Sequence, residues 1–384
     1  MANDKTFKIK NGLSATRYLQ SSTALAASDV DMSLGSYLTK ALSANTTFTF
    51  SNPPASGTAG SFALEVTGAD VTVGYDLANA AYDSVSFSVN SQEANSTGIT
   101  FNTTGTKMFI CGESGLEVNE YALSTAFDVS TASFTTNFSV SAQETAPSDI
   151  VFKPDGTKMY ISGGTGDDIS QYSLSTAYDI STASFDNVTF SVASQSNAPY
   201  GLRFNNDGTK FFICDRNNNF LFQYSLSTAY DISTAGYDSV SYDPSSAGQG
   251  PTSISFNGDG TKLFMISAFT GLIHQFSLST AFDLSSISYD SVTFAIENSG
   301  AEATGMTFSS DGLKMYTIDE GTDLVYQYST SASATATITY PSSVKWSGAT
   351  TPDAPAAGEK DVYVFVTTDG GTTYYGKQAG DAVA

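Results

Sequence analysis

The chain has little of what most catalytic and metal centres are built from: one histidine, one tryptophan and two cysteines in 384 residues. With His274 alone, no His/Cys spacing for a structural zinc site occurs. A Ser-His-Asp triad would have to recruit that same histidine, and no G-x-S-x-G elbow accompanies it. Basic residues are also few. Lys and Arg number 16 against 38 Asp and Glu, a formal charge of −22, which opposes phosphate backbones and anionic lipid surfaces. No nucleic-acid partner is expected, and the acidity is read first as a device for solubility. No apolar run reaches the ~20 residues needed to span a bilayer, so no membrane insertion is expected. The opening MANDKTFKIKNGL has lysines without an apolar segment after them and does not read as a secretory signal.

What is abundant is turn chemistry between short apolar runs. Thirty-two glycines, with many Ser and Thr, separate segments rich in Phe and Tyr, which favours β-structure; no sustained amphipathic helix is visible. The stretch YSLSTAYDISTASF at Tyr172 returns as YSLSTAYDISTAGY at Tyr224. Aligned on a turn glycine, the chain contains TTGTKMF, PDGTKMY, NDGTKFF, GDGTKLF and SDGLKMY, with Gly105, Gly156, Gly208, Gly260 and Gly312 at steps of 51, 52, 52 and 52. Such a period marks stacked or ring-forming supersecondary units.

Each unit parses into four strands. The first ends at Phe101, Phe152, Phe204, Phe256 or Phe308, and Asp-Gly then predicts a two-residue type I′ hairpin with positive φ at both turn positions. The third carries Tyr121, Tyr172, Tyr224, Phe276 or Tyr328, and the fourth follows the STAYDIST connection. An extra copy of that fourth strand, YDLANAAYDSVSFSV from Tyr75, precedes the first unit, and the last unit lacks its own. The offset predicts an all-β fold, a five-bladed β-propeller with velcro-type closure: the front strand completes the last blade and leaves no free sheet edges, unlike an open solenoid. Cys111 and Cys214 fall at equivalent positions of nonadjacent blades. A Cα approach under ~7 Å is not expected there, so both read as buried thiols.

The flanks read as a second domain. LSANTTFTFSNPPASGTAGSFALEVTG precedes the ring and ATITYPSSVKWSGATTPDAPAAGEKDVYVFVTTDGGTTYYG follows it. Together they resemble the two halves of a small β-domain of tail-fibre and other virion structural proteins of tailed bacteriophages, particularly those of marine bacteria. In those proteins a segment like NTTFTFSNPPASGTA runs directly into one like TVTWPSSVKW and ends in one like TTDGGTTYYG. The resemblance covers about a hundred residues outside the ring and the FKIKNGL opening; the departure from the pattern is the inserted ring. The expected organisation is an attachment arm and linker at 1–36, a discontinuous sandwich-like β-domain at 37–73 plus 331–384, and the propeller at 74–330. Phe48, Phe50, Phe62, Leu64, Val344, Trp346, Tyr363 and Phe365 are its core candidates by alternation.

The resemblance implies a non-enzymatic structural protein located in the virion, at the tail or particle exterior, made in the host cytoplasm. It would contact other virion proteins through the arm and small domain, form a homo-oligomer and attach to bacterial surface glycan. The alternatives are an adaptor, neck or capsid-decoration protein without receptor binding, and a glycan-active enzyme. No catalytic residue, metal site or cofactor is expected. Among the axis-lining segments TGITF, SDIVF, YGLRF, TSISF and TGMTF only Asp149 is acidic and only Arg203 basic, one carboxylate too few for glycoside hydrolysis. His274 aligns with Asn119, Ser170, Phe222 and Tyr326, a permissive position expected at the surface or rim. The Asp-Gly turns lack the D-x-[DN]-x-[DN]-G calcium pattern, and Asp128, Asp179, Asp231 and Asp283 are expected to cap their own backbone.

Recognition is expected where the repeats differ. Connections 1–2 and 3–4 are nearly uniform, whereas 2–3 and 4–1, at the other end of each blade, differ in every unit, as a scaffold with a binding face would. The ligand-binding candidates are Asp167, Asp168, Asp215, Arg216, Asn217, Asn218, Asn219, Phe220, Phe269, Asp319, Glu320 and Asp323, whose amides, acids and aromatics suit sugar hydroxyls and ring faces.

Overall fold

A computed structural model describes residues 21–297 and 303–383. The chain divides into two compact units, one comprising residues up to 72 and from 333, the other Val73–Ala332.

The second unit is a five-bladed β-propeller made of five four-stranded antiparallel sheets. In the blade that starts the chain order, Ser96–Phe101, Lys107–Gly112, Glu117–Leu123 and Ala132–Ser139 pair in sequence. Three further blades repeat this plan. The last contains Ala303–Phe308, Lys314–Asp319 and Leu324–Ser329, and its fourth strand is Ala81–Ser88, paired with Leu324–Ser329 so that Val85 faces Gln327. First strands of neighbouring blades pack side by side, the fifth against the first included. They are also stitched by hydroxyls: Thr97 donates to the carbonyl of Pro147 at 2.7 Å, Ser148 to Pro199 at 2.6 Å, Thr252 to Ala303 at 2.9 Å and Thr304 to Ser96 at 2.9 Å.

The periodic aromatics explain why the unit repeats. Phe127, Tyr178, Tyr230 and Phe282 of the 3–4 connection lie over the turn glycines of their own blades, and their N–H groups donate to Gly105, Gly156, Gly208 and Gly260 at 2.9–3.0 Å. In the fifth blade Tyr75 takes this place, donating to the carbonyl of Gly312 at 2.7 Å. Each of these rings also meets the phenylalanine that ends the first strand, from Phe101–Phe127 at 5.7 Å to Tyr75–Phe308 at 5.0 Å.

The turn itself departs from the type I′ expectation. Only the glycine has positive φ, 69–73° in the five copies, while the preceding residue, Asp in four copies and Thr104 in the first, does not. The hairpin is a four-residue loop: Gly156 donates to the Lys153 carbonyl at 2.8 Å and Lys153 to Lys158 at 3.0 Å. Asp155 instead accepts from the Thr157 N–H at 3.0 Å, a side-chain bracket that ordinary backbone angles permit. A methyl group on Gly208 would stand 2.2 Å from the Tyr230 ring at φ +72°. Gly208→Ala is therefore expected to cost at least ~1–2 kcal/mol for the left-handed backbone alone. Gly236→Ala, whose Cβ meets nothing within 4 Å, should leave stability unchanged. Thermal melts of the two variants check this.

In the 3–4 connections a single 3-10 turn follows each aspartate, as at Val129–Thr131, and Asp128 accepts from the Ser130 N–H at 3.0 Å, the capping expected of it. Cys111 and Cys214 are free and fully buried.

The other unit is a six-stranded mixed sheet in the order Thr23–Ala24, Tyr37–Ala41, Gly60–Thr67, Lys360–Thr367, Tyr374–Gly380, Val344–Trp346. Asp29–Asp31 pairs with Thr49–Ser51, and Ile338–Thr339 with Thr46–Thr47. Its core joins Phe48, Phe62 and Leu64 from one end of the sequence to Val344, Tyr363 and Phe365 from the other, with Phe50 and Trp346 half-buried against them. The linker reading of 1–36 needs correction in its second part. Thr23–Ala24 and Asp29–Asp31 are strands, and Leu25 and Val30 are buried, because a Ser/Ala-rich composition hides two well-spaced apolar side chains that the sheet can cover. The proposed attachment arm at residues 1–20 lies outside the described residues.

Candidate functional site

At the loop end of the blades, a buried carboxylate gathers the N–H groups of the 2–3 turn. Glu93 accepts from Asn95, Ser114 and Gly115 at 2.9–3.0 Å. Glu144 accepts from Thr145 and Ala146 at 2.7 Å and from Thr165 at 3.3 Å. Both side chains arrive from the 4–1 connection, and where they do the second strand ends in glycine. A Cβ on Gly163 would stand 2.0 Å from the Glu144 carboxyl carbon, and one on Gly112 2.4 Å from that of Glu93. In the next blade the roles exchange: the strand ends in Asp215, which accepts from Asn217 and Asn218 at 2.9 Å, and the 4–1 position is Ser196. Asp319 repeats this with Thr322 at 2.9 Å. In the remaining blade Ser267 faces Gly248, and the space beside them holds His274, whose Nε2 lies 2.6 Å from where a Gly248 Cβ would be.

This device changes the standing of several predicted ligand residues. Asp215, Asp319 and Asp323 are at most 3% exposed. Asp215 and Asp319 brace their own turns, and Asp323 accepts from the Asn90 amide at 2.8 Å and from Ser96. Unpaired carboxylates cannot be buried cheaply, so these acids serve the loops rather than a ligand. Asn219 is likewise engaged, with Ser245 at 2.5 Å and the Gly250 N–H at 3.0 Å. Phe220 stacks on Phe222, and Arg216 lies over the Tyr200 ring at 5.4 Å. Asp167, Asp168 and Glu320 are half-buried, while Asn217, Asn218 and Phe269 are exposed, Phe269 by 66%. Thus the exposed part of the predicted set reduces to Asn217 and Asn218 in one turn and Phe269 in the following blade, with Arg216, Asp167, Asp168 and Glu320 half-buried.

His274 is a second correction. It is 2% exposed, its Nδ1 lies 3.2 Å from the Tyr289 hydroxyl, and burial holds its pKa below the ordinary value. The equivalent Asn119, Ser170, Phe222 and Tyr326 are buried too, since this face of the third strand packs against the preceding blade, as Phe222 does against Tyr160 and Ile169 and Tyr326 against Phe264 and Ile273. Tolerance of many residue types there reflects a loosely specified interior, not exposure.

Asp168 is titratable in the physiological range, its pKa pushed up to about 6 by burial, with Glu144 and Asp167 adding repulsion. An acid raised on folding weakens the fold above its folded pKa and ceases to do so once both states are protonated. Asp168→Asn should therefore raise Tm at about pH 8 by ~1–2 °C, a small effect because the group is half-exposed and screened. The gain should fade as pH falls through about 6 and vanish near pH 4, as a series of melts would show.

At the axis, the two charged residues singled out from the first strands meet. Arg203 Nη1 lies 2.6 Å from Asp149 Oδ2, and Arg203 also donates to the carbonyls of Leu202, at 2.6 Å, and of Met306. Asp149 further accepts from the N–H groups of Leu202 and Ile150, each at 2.8 Å. Burial pushes its carboxyl up from the ordinary range, and the guanidinium and these N–H groups oppose that. The ring formed by Gly98, Asp149, Gly201, Ser253 and Gly305 leaves little room: a Cβ on Gly98 would approach the Asp149 Cα to 2.7 Å, and one on Gly201 the Ser253 Cα to 2.9 Å. Toward the uniform end the axis widens into a hollow of about 410 Å³, with Arg203 among its lining and half-buried Phe152, Phe204, Phe256 and Phe308 around it. The loop diversity drew attention to the opposite end; the sequence signal for the hollow was the small hydroxyl residue before three of the five strand-ending phenylalanines, Thr100, Ser255 and Thr307, with Arg203 before a fourth. Among the described residues, no group of three or more His, Cys, Asp or Glu is placed to hold a metal ion, and no helix is long and apolar enough to cross a membrane.

Fold and axis together define the class as a five-bladed β-propeller, an all-β protein with almost no helix. No protein-family model matches the chain, and no curated protein does. Similar solved structures include a candidate 6-phosphogluconolactonase from Bacteroides uniformis, at 11% identity and TM-score 0.38 over 70% of this chain and 66% of that one. A functionally unknown protein from Desulfotomaculum acetoxidans matches at 11% and 0.38 over 75% and 86%. The Swd1 β-propeller domain of Myceliophteria thermophila matches at 10% and 0.37 over 61% and 82%. The chain thus spans just under two thirds of the first of these. Likeness at this level bears on fold alone and carries no argument about activity.

Proposed function

We propose that this protein is a non-enzymatic virion structural protein of a tailed bacteriophage, tail-associated, which displays its propeller for attachment to a host-surface glycan. The observation that carries the reading is the split core. The segments before and after the ring that resemble a phage β-domain share one set of packed side chains, Phe62 against Phe365 at 4.9 Å among them. On this reading the ring is an insertion in a loop of that domain, with neighbouring ends as insertion requires. The pairing of Ala81–Ser88 with Leu324–Ser329 then acts as the velcro that makes the insert self-sufficient.

The small domain, with the arm at residues 1–20, would contact other virion proteins and a second copy of the chain. The loop end would meet the glycan through Asn217, Asn218 and Phe269, the exposed members of the predicted set. The axis is poorly suited to hydrolysis. Glycosidases need two carboxylates about 5–10 Å apart, and the axial Asp149 is held by Arg203. Purified protein should bind susceptible cells, and an Asn217→Ala, Phe269→Ala variant should lose at least tenfold in binding with an unchanged melting curve; Asn218 is left in place because its amide donates to the buried Asp215 carboxylate at 2.8 Å. Failure to bind any cell, with a location deep in the tail or neck, would return the adaptor reading. Turnover of any polysaccharide would overturn the non-enzymatic part.

A further inference from the structure

The residues before the strand-ending phenylalanines are Thr100, Val151, Arg203, Ser255 and Thr307, and all five line the axial hollow. The hydroxyls of Thr100, Ser255 and Thr307 have no hydrogen-bond partner among the described residues, which sets them apart from the stitching hydroxyls Thr97, Ser148, Thr252 and Thr304 of the same strands. Arg203 uses both N–H groups of Nη1 and one of Nη2 inside the protein, leaving Nε–H and a second Nη2–H without a partner among the described residues, on a side chain that is 12% exposed. Three free hydroxyls and two free guanidinium N–H groups from four blades therefore line one pit, over a floor closed by the glycine-rich ring.

We propose that this pit is a binding site for a carboxylated sugar. A carboxylate matches a donor set that offers several N–H and O–H groups and no free acid, since Asp149 is already satisfied by Arg203 and two backbone N–H groups. The volume, about 410 Å³, exceeds what an oxyanion alone fills and admits one sugar ring, whose apolar face the phenylalanines can cover. The site lies at the uniform end, so it stands independently of the attachment reading given to the loops.

Calorimetric titration of the full chain with methyl β-glucuronide and its neutral counterpart methyl β-glucoside tests it. The glucuronide should bind at least tenfold tighter, the change expected when charge-assisted hydrogen bonds are lost with the carboxylate. Thr100→Val, Ser255→Ala and Thr307→Val combined should weaken it by at least tenfold without lowering Tm, since these near-isosteric changes break no internal bond. Sodium sulfate should compete with the glucuronide yet bind more weakly. No glucuronide binding, equal binding of the glucoside, or insensitivity to the triple variant overturns the proposal, and sulfate binding as tightly as the glucuronide overturns its sugar component. Loss of cell attachment by the loop variant, with glucuronide binding intact, would separate this site from the loop face.

Discussion

Arg203→Thr should destabilise the protein by about 3–5 kcal/mol, the usual cost of leaving one member of a buried ion pair without its partner. Asp149 is 1% exposed and pairs with no other cation among the described residues. The deficit should shrink as pH is lowered. Without Arg203 the Asp149 carboxyl is pushed up further and takes a proton, which removes the buried charge. Adding Asp149→Ser should restore most of the loss. Ser253, the equivalent residue two blades on, accepts the Met306 N–H at 3.0 Å as Asp149 accepts that of Leu202, so a serine can satisfy the same donor without charge. Denaturant melts of the parent and both variants at two pH values decide the matter; an Arg203→Thr variant as stable as the parent would show that the pair contributes nothing.

Glu144→Ser should cost about 2–3 kcal/mol by stranding N–H groups of a tight turn that water can only partly reach. Gly163→Asp alone should also be destabilising, because its Cβ runs into the Glu144 carboxyl. Combined, the two changes write the arrangement of Ser196 and Asp215 into the preceding blade, and the double variant should recover to within ~1 kcal/mol of the parent, a coupling of the size contacting residues show. If the two losses simply add, the exchange of carboxylate between connection and strand end is not a physical equivalence.

Much of the ring was legible because its signals are local and repeated. The phenylalanine that ends each first strand and the glycine after it recur five times, the aromatic of the Ser-Thr-Ala segment four times with Tyr75 in its place in the fifth blade, and the structure uses them in the same way each time. The sequence misled where one local pattern has two geometric solutions. Asp-Gly serves a type I′ hairpin or a longer loop with a single left-handed glycine, and the ring of Phe or Tyr above that glycine accompanies the second. It misled again at His274, where variety across the repeats was read as exposure, although an interblade space can hold Asn, Ser, Phe, His or Tyr provided each is covered.

The loop end shows the same limit. Asp215, Asp319 and Asp323 looked like ligands because acids in diverse loops are accessible in the average protein; here each is folded inward on N–H groups that lie close only after the turn has formed. The compensation of Glu144 with Gly163 and of Asp215 with Ser196 was present in the letters, but it joins positions 19 apart (163 − 144 and 215 − 196), with no meaning until both connections are known to meet.

The amino-acid sequence by itself determined the all-β class, the five-fold period and the placement of aromatics, since side-chain alternation and turn preference act over a few residues. Which acids are buried, that the single axial carboxylate meets the single axial cation, and that free hydroxyls gather with Arg203 in one pit were decided only by tertiary structure. Residues about fifty apart in the chain become neighbours there because five inner strands converge on one axis, and no local preference encodes that approach.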